Sequence, residues 1–191
     1  DKSFQGQRDY RSAFRKASHR LLIKVKDNKL DVKKAPHIGW LKSLYPEISE
    51  FYISFPEVQG MNSSWQWYEK GLEIKTLNLT LHPYYGTYFP TRFDHLKLFD
   101  KWLKKYEGSK DTAIDIGVGS GILTFQLIQN GFNNIYATDS NKNAIIGVEK
   151  ESERLGFKDK ITLNYGDLFE NCNIKADVIV FNPPWLLAKH N

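Results

Sequence analysis

Only one cysteine, Cys172, occurs in the 191 residues, so no internal disulfide framework can hold this fold together. Long apolar runs are lacking as well. None reaches the roughly 20 residues that a bilayer-spanning helix needs, and the opening residues show no basic-then-apolar leader pattern. These absences exclude a disulfide scaffold, argue against a membrane partner, and set a reducing, cytoplasmic setting as the expectation. What remains is ordinary for a globular protein, with 41% hydrophobic and 26% charged residues. The length suffices for one well-cored domain plus a smaller appendage.

Acidic residues are scarce in one place. Up to Lys42 the chain carries 12 Lys/Arg against four acids, whereas from Thr87 to Asn191 it carries 13 of each. A basic first third on a neutral remainder points to a polyanionic partner, and RNA or a ribosomal surface is expected to meet residues 2–42.

Residues 1–18 read as a frayed or helical arm. Leu21 to Val25 is strand-like, Asp27-Asn28-Lys29 is turn chemistry, and Leu30-Asp31-Val32 is expected to return as a second strand. Pro36 to Tyr45 fits a short helix, and Phe51 to Phe55 a strand closed by Pro56. The stretch from Gly60 to Leu81 is rich in aromatic and β-branched residues, and Leu77 to Leu81 alternates as a half-buried strand should. A small α+β unit over residues 1–83 is the expectation, followed by a second domain over 84–191. Tyr84 to Arg92 is a loop dense in aromatics, glycine and proline. Behind it Phe93, Leu96, Phe99, Trp102 and Leu103 lie on one face of an amphipathic helix reaching about Tyr106.

From Asp111 the pattern is regular. Strands at Thr112–Ile116, Asn134–Thr138, Ile161–Tyr165 and Ala176–Phe181 alternate with helices running to Gly131 and from Lys142 to Leu155. Apolar strands alternating with helices imply an α/β fold, a doubly wound, Rossmann-like and mostly parallel sheet. Ligands bind such sheets beyond the carboxyl ends of the strands, where every distinctive group of this region lies.

The first strand runs into Asp115-Ile116-Gly117-Val118-Gly119-Ser120-Gly121. Glycines there let the backbone take positive φ and approach a ligand, and the following helix start offers free N–H groups. A dinucleotide fingerprint is absent, because its third glycine would fall at Ile122, and no Gly-Lys-Ser/Thr of a P-loop follows. Asp115, two residues before the first glycine, can order the loop or attract a cationic group such as an ammonium. Asp139 ends the second strand, where a carboxylate can accept from both ribose hydroxyls. Asp167 ends the third, placed to accept from an adenine amino group, with Leu168 and Phe169 beside the ring. Each acid alone suits a strand-end or cap role, but three at successive strand ends around one glycine loop make an adenosine site the better explanation. No metal-ligand set is expected.

The fourth strand ends in Asn182-Pro183-Pro184-Trp185. The Asn182 side-chain oxygen and the Pro183 carbonyl can accept the two hydrogens of a planar NH₂, which favours a pyramidal, nucleophilic nitrogen. The prolines set the turn and offer no competing donor. Trp185 offers a face for stacking.

Asp115-x-Gly117-x-Gly119-x-Gly121, Asp139, Asp167 and Asn182-Pro183-Pro184-Trp185, in this order and spacing, resemble the motifs of class I S-adenosylmethionine-dependent methyltransferases. The resemblance covers about Tyr84 to Trp185. It implies that Asp115 and the glycine loop hold the methionine moiety, Asp139 the ribose, and Asp167 with Leu168 the adenine. The tetrapeptide is similar to the Asn/Asp-Pro-Pro-aromatic motif of amino-group methyltransferases, whose acceptors include a glutamine side chain of release factors, exocyclic base amines and some ribosomal proteins. Tyr85 to Arg92 is similar to the loop preceding the catalytic domain in release-factor glutamine methyltransferases. Here Pro90-Thr91-Arg92-Phe93 replaces their Pro-Arg-Pro element, and Trp185 the commoner Tyr or Phe. That family's sheet has seven strands, so further strands beyond Asn191 are expected. The expected function is N-methyl transfer to a planar amide or amino nitrogen of a protein or an RNA. The alternative is a non-catalytic, methyltransferase-like module that binds RNA or a protein partner.

Overall fold

The computed structural model describes residues 4–90, 92–170 and 172–183, which divide into two compact units, one up to Glu69 and one from Lys70. In the first, α1 (Phe4–Ser18) precedes β1 (Leu22–Lys26), β2 (Lys29–Leu30), α2 (Trp40–Leu44), β3 (Glu50–Ser54) and α3 (Phe55–Lys70). The strands form an antiparallel sheet ordered β2-β1-β3. Lys26 pairs with Lys29, which leaves Asp27 and Asn28 as a two-residue turn, both at positive φ (49° and 59°). That is the left-handed geometry whose twist matches paired strands, and Asp and Asn tolerate it.

The core of this unit gathers Val25, Ile38, Trp40, Leu41, Ile53, Val58 and Met61. Trp40 packs edge-on against Trp65, with centroids 5.1 Å apart. Gly39 makes this possible, since a Cβ there would lie 2.2 Å from the Trp65 ring. Two expectations differ from the structure. Phe55 and Pro56 open the helix α3 instead of closing the strand, because proline costs nothing in a first turn, where the N–H has no partner anyway. The second strand is shorter than expected, Lys29–Leu30 only.

The second unit opens with an antiparallel hairpin of β4 (Leu72–Ile74) and β5 (Leu79–Leu81). Leu77 and Asn78 lie in its turn, Asn78 at φ 50°, so the strand expected over 77–81 is confined to its last three residues. Ile74, Leu77 and Leu81 are buried in the same core as the large sheet, which is why the hairpin belongs to this unit and the boundary falls before the expected residue 84. There follow α4 (Asp94–Leu103), β6 (Thr112–Ile116), α5 (Ile122–Gln129), β7 (Asn134–Asp139), α6 (Lys142–Leu155), β8 (Ile161–Tyr165) and β9 (Val178–Phe181). Among the described residues this sheet has four strands, all parallel, in the order β8-β7-β6-β9. The unit is therefore the Rossmann-like α/β fold that the alternation implies.

Register decides what is buried. Ala113, Ile135, Ala137 and Val180 share one face and join Ile122, Phe125, Ala144 and Val148 of α5 and α6 in the core. At the β9 edge the opposite face leaves Ile179 and Phe181 about half exposed. The strand order reverses between β6 and β9, and the two loops leaving that reversal part around a crevice.

Candidate active site

Each glycine at 117, 119 and 121 sits at positive φ (70°, 51° and 79°). Gly121 caps α5, and a Cβ there would meet the Phe125 ring at 2.9 Å and Val148 at 3.1 Å. At Gly119 it would lie 3.3 Å from the Tyr88 carbonyl oxygen. The loop is held from beneath by β7, since the Gly117 and Val118 N–H groups both donate to the Thr138 carbonyl, at 2.8 and 2.9 Å. Asp139 then closes it. Its Oδ2 accepts from the Gly119 N–H and its Oδ1 from the Asn141 N–H, both at 2.8 Å. Each oxygen retains a lone pair for a further donor.

A cavity of about 620 Å³ opens over this loop, and Gly117, Gly119, Asp139, Asp167, Leu168, Asn182 and Pro183 all line it. Leu168 is held at φ 42°, and its carbonyl accepts from Thr138 Oγ1 at 2.9 Å, which fixes the turn after β8 against β7. Asn182 also borders a second, apolar cavity of about 390 Å³ beside Phe99, Trp102 and Ile179. Pro184 and Trp185 lie outside the described residues.

Two expected residues are not at the cavity. Gly121 lies behind it, at the helix start. Asp115 is 1% exposed, beneath α5, where its Oδ2 accepts from Thr124 Oγ1 at 2.7 Å while Oδ1 has no hydrogen-bond partner among the described residues. Burial, with the nearby Asp139 adding to it, pushes its carboxyl up to about 6. Such a group holds more protons folded than unfolded between about pH 4 and 6. Stability therefore falls as pH rises through that window and levels off above it. Urea denaturation should show the native protein losing on the order of 2 kcal/mol from pH 4 to 7 relative to Asp115→Asn. Parallel pH curves for the two proteins would refute an ionising, buried Asp115.

The structure adds residues that the motifs did not name. Gly86 and Tyr88 form part of the cavity wall, and their loop is docked on α6. Tyr84 is buried against Gly147, where a Cβ would come within 2.6 Å of it, and Asn141 Nδ2 donates to the Gly86 carbonyl at 2.8 Å. Asn141 also caps α6 through Oδ1, which accepts from the Asn143 N–H at 3.0 Å. Its place directly before a helix is a capping signal readable in sequence. Its grip on a loop 55 residues upstream is not.

Residues 55–188 match the family model described as Ribosomal protein L11 methyltransferase (PrmA). The chain belongs to that family. Its members are class I S-adenosylmethionine-dependent methyltransferases, as the ordered motifs imply. Among curated relatives of this family member, it is 36% identical over 115 residues to a protein of Methanocaldococcus jannaschii provisionally named an N5-glutamine methyltransferase, covering 60% of this chain and 54% of the relative. It is 31% identical over 113 residues to the release factor glutamine methyltransferase of Buchnera aphidicola, covering 59% and 40%. To the ribosomal protein L11 methyltransferase of Anoxybacillus flavithermus it is 30% identical over 153 residues, covering 75% and 44%. The chain thus spans about half the length, or less, of these relatives. No helix among the described residues is long and apolar enough to cross a membrane.

Proposed function

We propose that this family member binds S-adenosylmethionine in the cavity over the glycine loop and methylates a side-chain amide nitrogen of glutamine in a protein acceptor. One observation carries the reading: Asn182 and Pro183, at the end of β9, line the same cavity as Gly117, Gly119 and Asp139. The residues fit the cofactor. The cradle at Gly119 is one that a side chain would fill, and Asp139 faces the cavity with an unspent lone pair on each oxygen. Gly117 and Gly119 would bring backbone against the methionine part, Asp139 would take the ribose hydroxyls, and Asp167 with Leu168 the adenine. When bound, the cofactor supplies an electrophilic sulfonium methyl group.

The chain's own task is positioning and desolvation. Asn182 Oδ1 and the Pro183 carbonyl accept the two amide hydrogens and hold the nitrogen with its lone pair toward the cavity. Asp115 keeps a structural part, ordering the strand end through Thr124. The names of the relatives, two for glutamine and one for a ribosomal protein, favour a protein acceptor over a base. Incubating the full-length protein with cofactor labelled in its methyl group, and with cell extract resolved into protein and RNA fractions, tests this. Label is expected in protein, released as N5-methylglutamine on enzymatic digestion to free amino acids. Label in RNA alone would overturn the glutamine acceptor.

A further inference from the structure

We propose that the N-terminal unit binds single-stranded RNA across the open face of its three-stranded sheet, with Tyr52 as the stacking platform and Lys24, Lys26 and Lys29 meeting phosphates. Alternation along β1 and β3 puts Ile23, Val25, Phe51 and Ile53 on the core side, where Val25 is fully buried. Leu22, Lys24, Lys26, Glu50, Tyr52 and Lys29 are thereby left together on the opposite side. Tyr52 stands directly across from Lys24 and is 63% exposed. Lys24 Nζ is paired with Glu50 at 2.7 Å, which holds that lysine over the sheet.

The second pair is the informative one. Lys26 and Lys29 stand directly opposite each other across the tight turn, and like charges so placed repel. Glu50 faces Lys26 from β3 and offsets part of that repulsion, and a phosphate of a bound strand lying between the two lysines relieves the rest. The positive surface continues beyond Lys29 into a cavity of about 430 Å³ that Lys34 and His37 also line. Immediately upstream of the sheet, α1 carries Arg8, Arg11 and Arg15 along one stripe, beside a stacked and exposed Tyr10–Phe14 pair with centroids 6.3 Å apart.

An A-form RNA duplex keeps its base faces stacked and its major groove deep and narrow, whereas unpaired bases can stack on an exposed ring while lysines track the backbone. The choice of RNA over DNA rests on the proposed protein acceptor, since release factors and ribosomal proteins act in an RNA-rich setting. The surface itself is independent of that reading.

Fluorescence anisotropy of the full-length protein with a 5′-labelled single-stranded oligouridylate, between 50 and 200 mM KCl, tests the proposal. Affinity should fall with salt at a log–log slope of about −2, as three phosphate contacts on a single strand imply. Lys26→Gln with Lys29→Gln should flatten that slope by about 1.4. Tyr52→Ala should weaken binding about tenfold while Tyr52→Phe keeps it, because the phenyl face still stacks. These side chains are exposed, so the variants should fold, and the double lysine variant should melt no lower than the wild type. The proposal is overturned if the variants bind like the wild type, if an RNA duplex or the matching DNA strand binds equally well, or if only a polyglutamate peptide binds. Cofactor titration of the same samples reports separately on the methyl-transfer reading.

Discussion

Asn182→Ala is expected to lower methyl transfer about 100- to 1,000-fold while leaving cofactor affinity within about twofold. The magnitude is that of removing one preorganised hydrogen-bonding group from a polar catalytic site. The selectivity follows from position. Asn182 is half-buried at the end of β9 and lines the cavity opposite the glycine loop, whereas the groups that close that loop, Thr138 and Asp139, belong to β7. Truncating Asn182 removes an acceptor for the incoming NH₂ and touches none of the bonds that shape the loop. Asn182→Asp should retain more activity than the alanine variant, because a carboxylate still accepts. Steady-state transfer of labelled methyl gives the rate, and isothermal titration gives the affinity. Turnover within threefold of wild type in the alanine variant would remove Asn182 from the chemistry, and no turnover in either protein would favour a binding module.

Asp139→Ala should act in the opposite way, abolishing cofactor binding at the protein concentrations that calorimetry uses. In the free protein the Asp139 carboxylate accepts from the Gly119 N–H, which has no other acceptor among the described residues, and also from the Asn141 N–H. Its loss leaves both amides without a protein partner and frees the glycine loop to change shape. Each orphaned donor costs about 1–3 kcal/mol when water cannot replace the partner, less at this partly exposed site. The bound state loses more, because the ribose hydroxyls lose an acceptor as well, and an affinity loss of at least about 100-fold is expected. Asp139→Asn keeps one acceptor oxygen and discards the charge, so it should bind between the two. An unchanged dissociation constant in the alanine variant would disprove the ribose assignment.

Much of the second unit was readable in advance because its rules are local. Buried parallel strands are continuous apolar runs, the helices between them repeat at their own period, and glycine marks positive φ. The four strands and α4 to α6 follow to within a few residues at their ends. The first unit yielded less. Trp65 and Tyr68, which suit a strand as well as a helix, belong to a helix because they close over Trp40, contacts made at separations of 25 and 28 residues. The aromatic loop was equally ambiguous. Its place at the cavity depends on Tyr84 seating on Gly147 and on the Asn141–Gly86 hydrogen bond, and neither partner is near in sequence.

The two strand-end acids divide most clearly. The sequence by itself determined that a glycine loop follows one strand, that Asp115 and Asp139 stand at the ends of adjacent strands, and that Asn182-Pro183-Pro184-Trp185 follows a fourth. Only the tertiary structure decided that the acids have different surroundings. In the parallel register Asp115 pairs with Ala137, one rung short of the Ile116–Thr138 pair, and Asp139 lies one rung beyond it. Two residues of strand are about 6–7 Å. Over that distance a carboxylate passes from beneath α5, where helix and sheet exclude water and raise its proton affinity, to the open end of the sheet, where it accepts two backbone N–H groups and lines the cavity.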